Sequence, residues 1–332
     1  MLAELARRAP AFAGTLASIY LGGGTPSLWE PAAMAAVLDA VRARFGEPRE
    51  VTIEANPTDC TDEKLAAWRA MGATRISIGV QSLEPGALVT LGRDHRFGDG
   101  RAAVTRAIDA GFEVSADFIL GVPGSTEDVV PLAPHLSVYE LTIEERTAFG
   151  KRVRDGRLVP LDEDLLAERY IATHDRLVAQ GYEHYEISSY ARAGKRAVHN
   201  ALYWRGAPFL GLGVGAASLE ACEDGSGVRA TNPRRWKDYA SDPGALVERI
   251  VISPSEMASD RAWLGMRTSD GVAEAALEGA PGLAEALVGE GLAERRNGHI
   301  CPTLRGFLMS DRIAARIVEQ WGDPGELPTD VA

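Results

Sequence analysis

Short apolar runs of strand length alternate with longer amphipathic stretches over much of the chain. Runs rich in β-branched and aromatic side chains predict strands, and apolar residues that recur every three or four positions predict helices. The predicted strands are Ser18–Leu21, Arg49–Glu54, Arg75–Gln81, Glu113–Leu120 and Leu136–Ile143. The predicted helices are residues 31–45, 61–71, 99–110 and 162–180, with the end of another helix at residues 1–8. This alternation predicts an α/β fold with a parallel sheet and right-handed crossovers.

One face of the second and third predicted strands is polar toward their carboxyl ends. Thr52 and Glu54 alternate with aliphatic residues, and the third strand repeats the pattern up to Gln81. A sheet covered by helices on both faces would bury such positions, so the pattern favours a curled sheet with a ligand in its mouth. Glu54, Gln81 and Asp117 then meet at one rim and predict a binding site there. Taken singly, each could instead be a polar residue that faces a loop.

The first predicted strand runs directly into three glycines, Gly22 to Gly24, followed by Thr25. Without Cβ atoms on one wall, such a loop lets a ligand approach the backbone. Ser27 and Glu30 have the spacing of a capping box for the helix that follows. The phosphate-binding patterns G-x-G-x-x-G and G-K-[ST] are absent from this loop, and a tight turn without a ligand is the alternative.

Composition narrows the class of protein. The chain has 332 residues, of which 45% are hydrophobic and 25% charged, as expected for a globular protein. Its net charge of −12 argues against nucleic acid or an anionic membrane as the main partner. No apolar run approaches the roughly 20 residues of a transmembrane segment. Three widely spaced cysteines indicate reduced thiols and a cytoplasmic location.

The pattern changes beyond residue 243, where helices precede a hairpin with an Asn297-Gly298 turn and a last helix, Leu304 to Gln320. We therefore divide the chain into residues 1–242 and a small winged-helix-like α+β domain, residues 243–332. DNA binding is not expected of this domain, because residues 241–332 hold 8 Arg, no Lys and 15 Asp or Glu. The tail from Asp323 is expected to be loosely held.

Several ordered motifs resemble the radical SAM barrel of the oxygen-independent coproporphyrinogen III oxidase family. They are G-G-G-T-P-S-L, T-I-E-A-N-P, R-I-S-I-G-V-Q-S-L, L-G-R-D-H, A-D-F-I-L-G-V-P-G and Y-E-L-T-I-E-E-R-T-A-F. The later motif H-N-A-L-Y-W resembles the H-N-x-x-Y-W signature of the haem chaperone branch of that family, which the oxidases lack. The resemblance covers nearly the whole chain and implies an incomplete parallel (β/α) radical SAM-type barrel.

The resemblance also implies roles for individual residues. The residues that would contact S-adenosylmethionine are Gly22, Gly23, Gly24, Thr25, Glu54, Gln81, Arg93, Asp117, Gly121 and Val122. The chemistry agrees, because a guanidinium suits a carboxylate, and carboxylate or amide oxygens suit an amine and ribose hydroxyls.

The H-N-A-L-Y-W motif implies a haem site. His199 would bind the haem iron, with Tyr203 and Trp204 packed against the porphyrin. The alternative is a buried histidine that ties a turn, with both aromatic residues in the core.

Members of the family carry a C-x-x-x-C-x-x-C loop that binds a 4Fe-4S cluster, before the glycine loop. The sequence begins after that point, and we expect the natural start to lie upstream of Met1. Cys60, Cys222 and Cys301 do not have cluster spacing, so we expect no cluster from these residues and leave enzymatic activity open.

Three functions follow as expectations. The first is a haem chaperone that binds haem and transfers it to a client protein. The second is a radical SAM oxidase of porphyrin biosynthesis. The third is a cluster-less, non-catalytic barrel that acts as a binding protein.

Overall fold

The computed structural model describes residues 1–93, 98–125 and 129–321. These residues form two compact units. The barrel unit holds residues 18–31 and the described part of 50–197, and the terminal unit holds residues 1–17, 32–49 and 198–321. The predicted boundary at residue 243 stays a prediction, and the tail from Asp323 lies outside the described residues.

The strands are numbered in chain order. They are β1 (Ser18–Leu21), β2 (Glu50–Ala55), β3 (Arg75–Gln81), β4 (Glu113–Leu120), β5 (His135–Glu140), β6 (Glu183–Glu186), β7 (Ser189–Ala191), β8 (Ala217–Ala221), β9 (Gly227–Thr231), β10 (Glu248–Ile252), β11 (Val272–Ala273), β12 (Ala293–Arg296) and β13 (His299–Pro302).

The α-helices are numbered in the same way. They are α1 (Leu2–Arg8), α2 (Pro31–Phe45), α3 (Asp62–Ala70), α4 (Pro85–Thr90), α5 (Asp99–Asp109), α6 (Ala148–Arg154), α7 (Glu163–Ala179), α8 (Val198–Trp204), α9 (Trp236–Ser241), α10 (Pro254–Gly265), α11 (Leu283–Gly289), α12 (Leu304–Leu308) and α13 (Ser310–Gln320). Among the described residues, no helix combines the length and the apolar character needed to cross a membrane.

The barrel unit is built on a seven-stranded sheet with the order β1-β2-β3-β4-β5-β7-β6. The first five strands are parallel neighbours, and β7 and β6 then add in antiparallel orientation. This confirms the predicted α/β class and the incomplete, parallel-dominated barrel. The fifth strand ends at Glu140, three residues earlier than predicted, and the sequence pattern did not predict the antiparallel pair.

The alternation along β2 and β3 places aliphatic and polar side chains on opposite faces, as predicted. Ile53, Ile76 and Ile78 are fully buried on one face. On the other face the register sets Glu54 beside Ser77. The inner, polar face of the curled sheet is therefore continuous across neighbouring strands.

Two local predictions about the helices in this part of the chain had different outcomes. The Thr61 hydroxyl accepts a hydrogen bond from the Lys64 amide and caps α3, which confirms that start. The predicted capping box of Ser27 and Glu30 is wrong. Ser27 lies in a 3-10 turn before α2 begins, and its hydroxyl donates to the Asp59 carboxylate at 2.8 Å. The side chain is therefore bonded to Asp59 and does not cap α2.

The terminal unit contains two antiparallel three-stranded sheets, with the orders β10-β9-β8 and β11-β13-β12. The hairpin between β12 and β13 turns at Asn297 and Gly298, both with positive φ, as the sequence predicted. A shared apolar core joins α10, α11 and α13 to this second sheet. The predicted last helix is broken, because α12 ends before Met309 and α13 starts at Ser310.

Candidate functional site

A cleft of about 510 Å³ opens at the carboxyl ends of the parallel strands, within the barrel unit. Its walls bring together six of the predicted contact residues, namely Gly24, Thr25, Glu54, Gln81, Arg93 and Asp117. The volume lies in the range of small-molecule and cofactor sites. Gly121 and Val122 follow β4 and do not line this cleft. Val122 is buried, and Gly121 turns the chain at a φ of 81°.

Glu54 is fixed by two donors at the amino end of the glycine loop. The Tyr20 hydroxyl donates to Glu54 Oε1 at 2.7 Å, and the Gly23 amide donates to Oε2 at 3.1 Å. Burial, with the nearby Glu54 carboxylate, raises the pKa of Tyr20, so its hydroxyl keeps the proton that it donates. A Cβ on Gly22 would lie 2.5 Å from the Tyr20 ring, so this position requires glycine.

Asp117 lies on the inner face of β4 and opposes Gly79 of β3 and Ser137 of β5. Its carboxylate accepts hydrogen bonds from the Ser77 hydroxyl at 2.8 Å and from the Ser115 hydroxyl at 3.4 Å. Desolvation raises the pKa of Asp117 to about 7, although the hydroxyl donors act in the opposite direction. The cleft therefore contains a carboxyl group that can change protonation near neutral pH.

Gln81 has a φ of 64°, a left-handed conformation that is uncommon for a residue with a side chain. It follows a register shift between β3 and β4, and this bulge turns its amide toward the cleft. A Cβ on Gly79 would lie 2.5 Å from the Gln81 amide nitrogen, so the glycine leaves room for that amide. Strained backbone at a cleft wall is typical of functional sites.

Arg93 also lines the cleft and brings a guanidinium to a lining that holds three carboxylates, Glu54, Asp117 and Glu140. The motif L-G-R-D-H continues with Asp94 and His95, which lie outside the described residues. A cation and several acceptors on one cleft suit a ligand that carries a carboxylate, an amine and hydroxyl groups.

The predicted haem residues lie on α8 in the terminal unit. His199 and Tyr203 are separated by four positions and therefore lie on the same face of this helix. No residue of α8 is fully buried, and Tyr203 is 42% exposed. The Tyr203 ring meets Trp204 edge-on, at 5.5 Å between centroids, and Phe209 at 6.2 Å. His199 and Trp204 are partly buried, and the haem role of these residues stays a prediction.

Sequence patterns missed several residues of the inner face. Tyr20 and Tyr139 line the cleft, and Ser77 and Ser115 hold Asp117. His135 lies below them, fully buried. Side chains two positions apart on a strand lie on the same face, and this period could have predicted these residues. Ser115 precedes Asp117 by two positions on β4, and His135 and Tyr139 lie four positions apart on β5.

Comparisons with known proteins agree with this architecture. Residues 1–133 match the radical SAM superfamily. The chain is 35% identical over 322 residues to the protein named heme chaperone HemW of Mycobacterium tuberculosis, covering 92% of this chain and 82% of that relative. It is 38% identical over 234 residues to HemW of Escherichia coli, covering 67% of this chain and 61% of that relative. The chain belongs to the HemW family of radical SAM proteins.

A solved structure places this HemW-family chain in the same fold as an enzyme. Coproporphyrinogen III oxidase (HemN) of Escherichia coli, described as a radical SAM enzyme, superposes with a TM-score of 0.75 at 22% identity, covering 95% of this chain and 81% of the other. At this level of identity the likeness shows the fold alone.

The cofactors implied by the family can be tested against the residues present. The cleft fits S-adenosylmethionine, because it combines backbone without Cβ atoms at Gly24 with the acceptors Glu54, Gln81 and Asp117 and the cation Arg93. The described residues do not fit a 4Fe-4S cluster, because they hold no group of three or more His, Cys, Asp or Glu that could bind a metal ion. All three cysteines are free.

Proposed function

We propose that this protein is a haem chaperone, which binds haem through α8 and transfers it to a client protein. The observation that carries the proposal is the placement of His199 and Tyr203 on one face of a helix in which no residue is fully buried. The family relationship supports it, since relatives at 35% and 38% identity are named heme chaperone HemW.

The chemistry of α8 suits a porphyrin. A neutral imidazole is a common axial ligand of haem iron, and His199 supplies one. Tyr203 lies one helical turn away with much of its ring accessible, and Trp204 meets it edge-on. Flat aromatic side chains beside an imidazole can cover a macrocycle while the iron is held. A ligand held on a partly accessible helix can also be passed to another protein without unfolding the site.

The second part of the proposal concerns the cleft in the barrel unit, which we infer to bind S-adenosylmethionine. Arg93 would pair with its carboxylate, and Glu54, Gln81 and Asp117 would accept from its amine and hydroxyl groups. When bound beside a reduced cluster, this cofactor supplies radical chemistry. The residues of this chain bind and orient it. Cytoplasmic location stays a prediction, in keeping with three free thiols.

Haem titration of the full chain, followed by the haem absorption band, tests the haem proposal. We expect saturable binding and a loss of at least about tenfold in affinity, about 1.4 kcal/mol, for His199→Ala. Tyr203→Ala should weaken binding to a smaller extent, because it removes ring contact and leaves the iron ligand in place.

The matched control is His299→Ala, which removes an exposed histidine from β13 of the same unit. Its haem affinity should equal that of the parent. Equal affinity for His199→Ala and the parent would exclude His199 as the ligand, and absence of saturable binding by the parent would overturn the haem proposal itself.

A further inference from the structure

A buried chain of hydrogen bonds runs beneath the cleft, within the barrel unit. The Ser115 hydroxyl lies 3.4 Å from Asp117 Oδ1 and 2.6 Å from His135 Nδ1. The other nitrogen of the same ring, His135 Nε2, lies 2.8 Å from the Tyr185 hydroxyl, which accepts from the Ala197 amide at 3.3 Å. Ser115, His135 and Tyr185 are each at most 3% exposed. The links among these three side chains are therefore shielded from water.

The protons in this chain can be counted. Burial, with the Arg75 guanidinium as a smaller cause, lowers the pKa of His135 to about 3, so its ring is neutral and carries one N–H. Burial raises the pKa of Tyr185, so its hydroxyl keeps its proton. Ser115 contributes one further proton. Three protons are thus available to the three buried groups.

Two arrangements of these protons satisfy the chain. In the first, Tyr185 donates to Nε2, the Nδ1–H group donates to Ser115, and the Ser115 proton points to Asp117. In the second, Ser115 donates to Nδ1, the Nε2–H group points at Tyr185, and Asp117 loses that donor. An ionised carboxylate is only an acceptor, so the first arrangement suits an ionised Asp117. The Ala197 amide already donates to the Tyr185 oxygen, which leaves the Tyr185 proton free for Nε2.

We propose that His135 is a positioning residue for the cofactor cleft: as a neutral ring protonated on Nδ1, it holds the Ser115 hydroxyl as a donor to Asp117. The ring itself does not contact a ligand in the cleft. Its effect is exerted through Ser115, directly or through Ser137, whose hydroxyl lies 3.3 Å from that of Ser115. The consequence for ligand binding rests on the proposal that the cleft takes S-adenosylmethionine.

Other groups also act on Asp117 and bound the size of the effect. The Ser77 hydroxyl on β3 and the Ser137 hydroxyl on β5 favour ionisation of Asp117, and the Glu54 carboxylate on β2 opposes it. Tyr20 on β1 and Tyr139 on β5 face the same carboxylate. Removing the Ser115 donor therefore leaves the Asp117 carboxylate with fewer hydrogen-bond donors beside a like charge, and its midpoint of ionisation moves to higher pH.

The first experiment needs no ligand. Nitrogen NMR of the full chain with labelled histidine should show His135 with a proton on Nδ1 and none on Nε2. Carbon NMR of labelled aspartate, assigned with Asp117→Asn, should give an Asp117 midpoint that rises by about half a pH unit or more in His135→Phe. His135→Asn should restore the parent midpoint, because its amide occupies the place of Nδ1 and can donate to Ser115.

A proton on Nε2 of His135, or an unchanged Asp117 midpoint in His135→Phe, would overturn the proposal. If His135→Phe does not fold, Tyr185→Phe takes its place. That variant removes the donor to Nε2 and should also raise the midpoint. These results stand whether or not the chain binds haem or S-adenosylmethionine.

The second experiment is calorimetry with S-adenosylmethionine as the probe. We expect His135→Phe to weaken binding about fivefold at pH 7, with the acid limit of binding moved to higher pH, and His135→Asn to bind like the parent. The matched control is His184→Phe, since His184 is also buried and stacks on Tyr190, and its strand β6 is separated from β5 by β7. An equal loss in His184→Phe would mean that packing explains the effect. Absence of binding by the parent would overturn the proposed cofactor of the cleft, while the NMR result would still decide the role of His135.

Discussion

Replacement of Asp117 by asparagine should make the barrel unit less sensitive to pH. The pKa of Asp117 in the folded chain is raised to about 7, above the ordinary value of 3.8. A carboxyl group whose pKa is raised on folding binds its proton more tightly in the folded state. It therefore stabilises the fold at low pH, and this contribution is lost as the pH rises toward 7. Asparagine keeps the shape of the side chain and cannot ionise.

The size of the change in stability follows from the pH interval over which Asp117 is ionised in the unfolded state but not in the folded state. Between pH 5 and pH 7 the unfolded carboxyl is ionised and the folded one is largely not, which corresponds to about 2.7 kcal/mol over about two pH units. Asp117 lines a cleft that is open to water, so solvent reduces this figure. We expect the free energy of unfolding of Asp117→Asn to rise relative to that of the parent by about 1.5 kcal/mol between pH 5 and pH 8, because the parent loses stability over this range and the variant does not.

Hydrogen exchange of peptides from β3 and β4, with variant and parent compared at the same pH, measures this difference in the unit that holds Asp117. The control is Asp109→Asn, the same chemical change on an exposed side chain of α5 in the same unit. Its difference from the parent should not depend on pH. If the difference for Asp117→Asn is also the same at pH 5 and pH 8, Asp117 ionises in the fold as it does in water, and the desolvation argument fails.

Two glycine substitutions test other parts of the structure. Gly22→Ala should weaken S-adenosylmethionine binding by at least about tenfold in calorimetry, because its Cβ would lie 2.5 Å from the Tyr20 ring. The control is Gly86→Ala, whose Cβ would have nothing within 4 Å and which should bind like the parent. Gly298→Ala should cost about 1 kcal/mol in unfolding of the terminal unit, because its φ is 77°. Gly289→Ala in α11 should be neutral or stabilising in the same assay, and equal stabilities for these last two variants would contradict the proposed strain.

Hydrophobic periodicity was sufficient to predict the parallel strands and the cleft at their carboxyl ends. Glu54 and Asp117 could be placed together because parallel strands expose their carboxyl ends on one rim. The antiparallel strands β6 and β7 were not predicted, because they are short and lack a two-residue alternation. They are only four and three residues long, and His184, Tyr185 and Glu186 are buried in succession, so no two-residue alternation marks them.

Local signals failed where a tertiary contact competed with them. Ser27 had the spacing of a helix cap, but the Asp59 carboxylate, distant in sequence, accepts its hydroxyl proton. The break between α12 and α13 was equally hidden, because the apolar period continues through Met309. No periodic pattern predicts which hydroxyl will donate to a given carboxylate, so the donors to Asp117 and Glu54 could be identified only from the structure.

The polar inner face of the sheet lowers the stability that the barrel unit could have. Glu50 and Arg75 form a buried ion pair at 2.9 Å, yet Arg75 Nη1 and the Thr52 hydroxyl lack hydrogen-bond partners among the described residues. A buried pair of this kind is often no more stabilising than apolar residues of similar size, and each unpaired buried group adds a cost.

The free-energy cost of these buried polar groups has a structural counterpart, because the same inner face provides the hydrogen-bond donors to Asp117 in the cleft. An apolar interior would leave Asp117 against hydrocarbon, where ionisation is most expensive, and would remove the hydroxyls that now donate to it. The serines on β3 and β4 instead provide two donors to one carboxylate. In the arrangement that we propose, the buried histidine on β5 fixes the direction of one of them. The polar interior therefore lowers stability but supports a carboxylate that can accept hydrogen bonds near neutral pH, as the proposed binding of a hydroxyl- and amine-bearing cofactor requires.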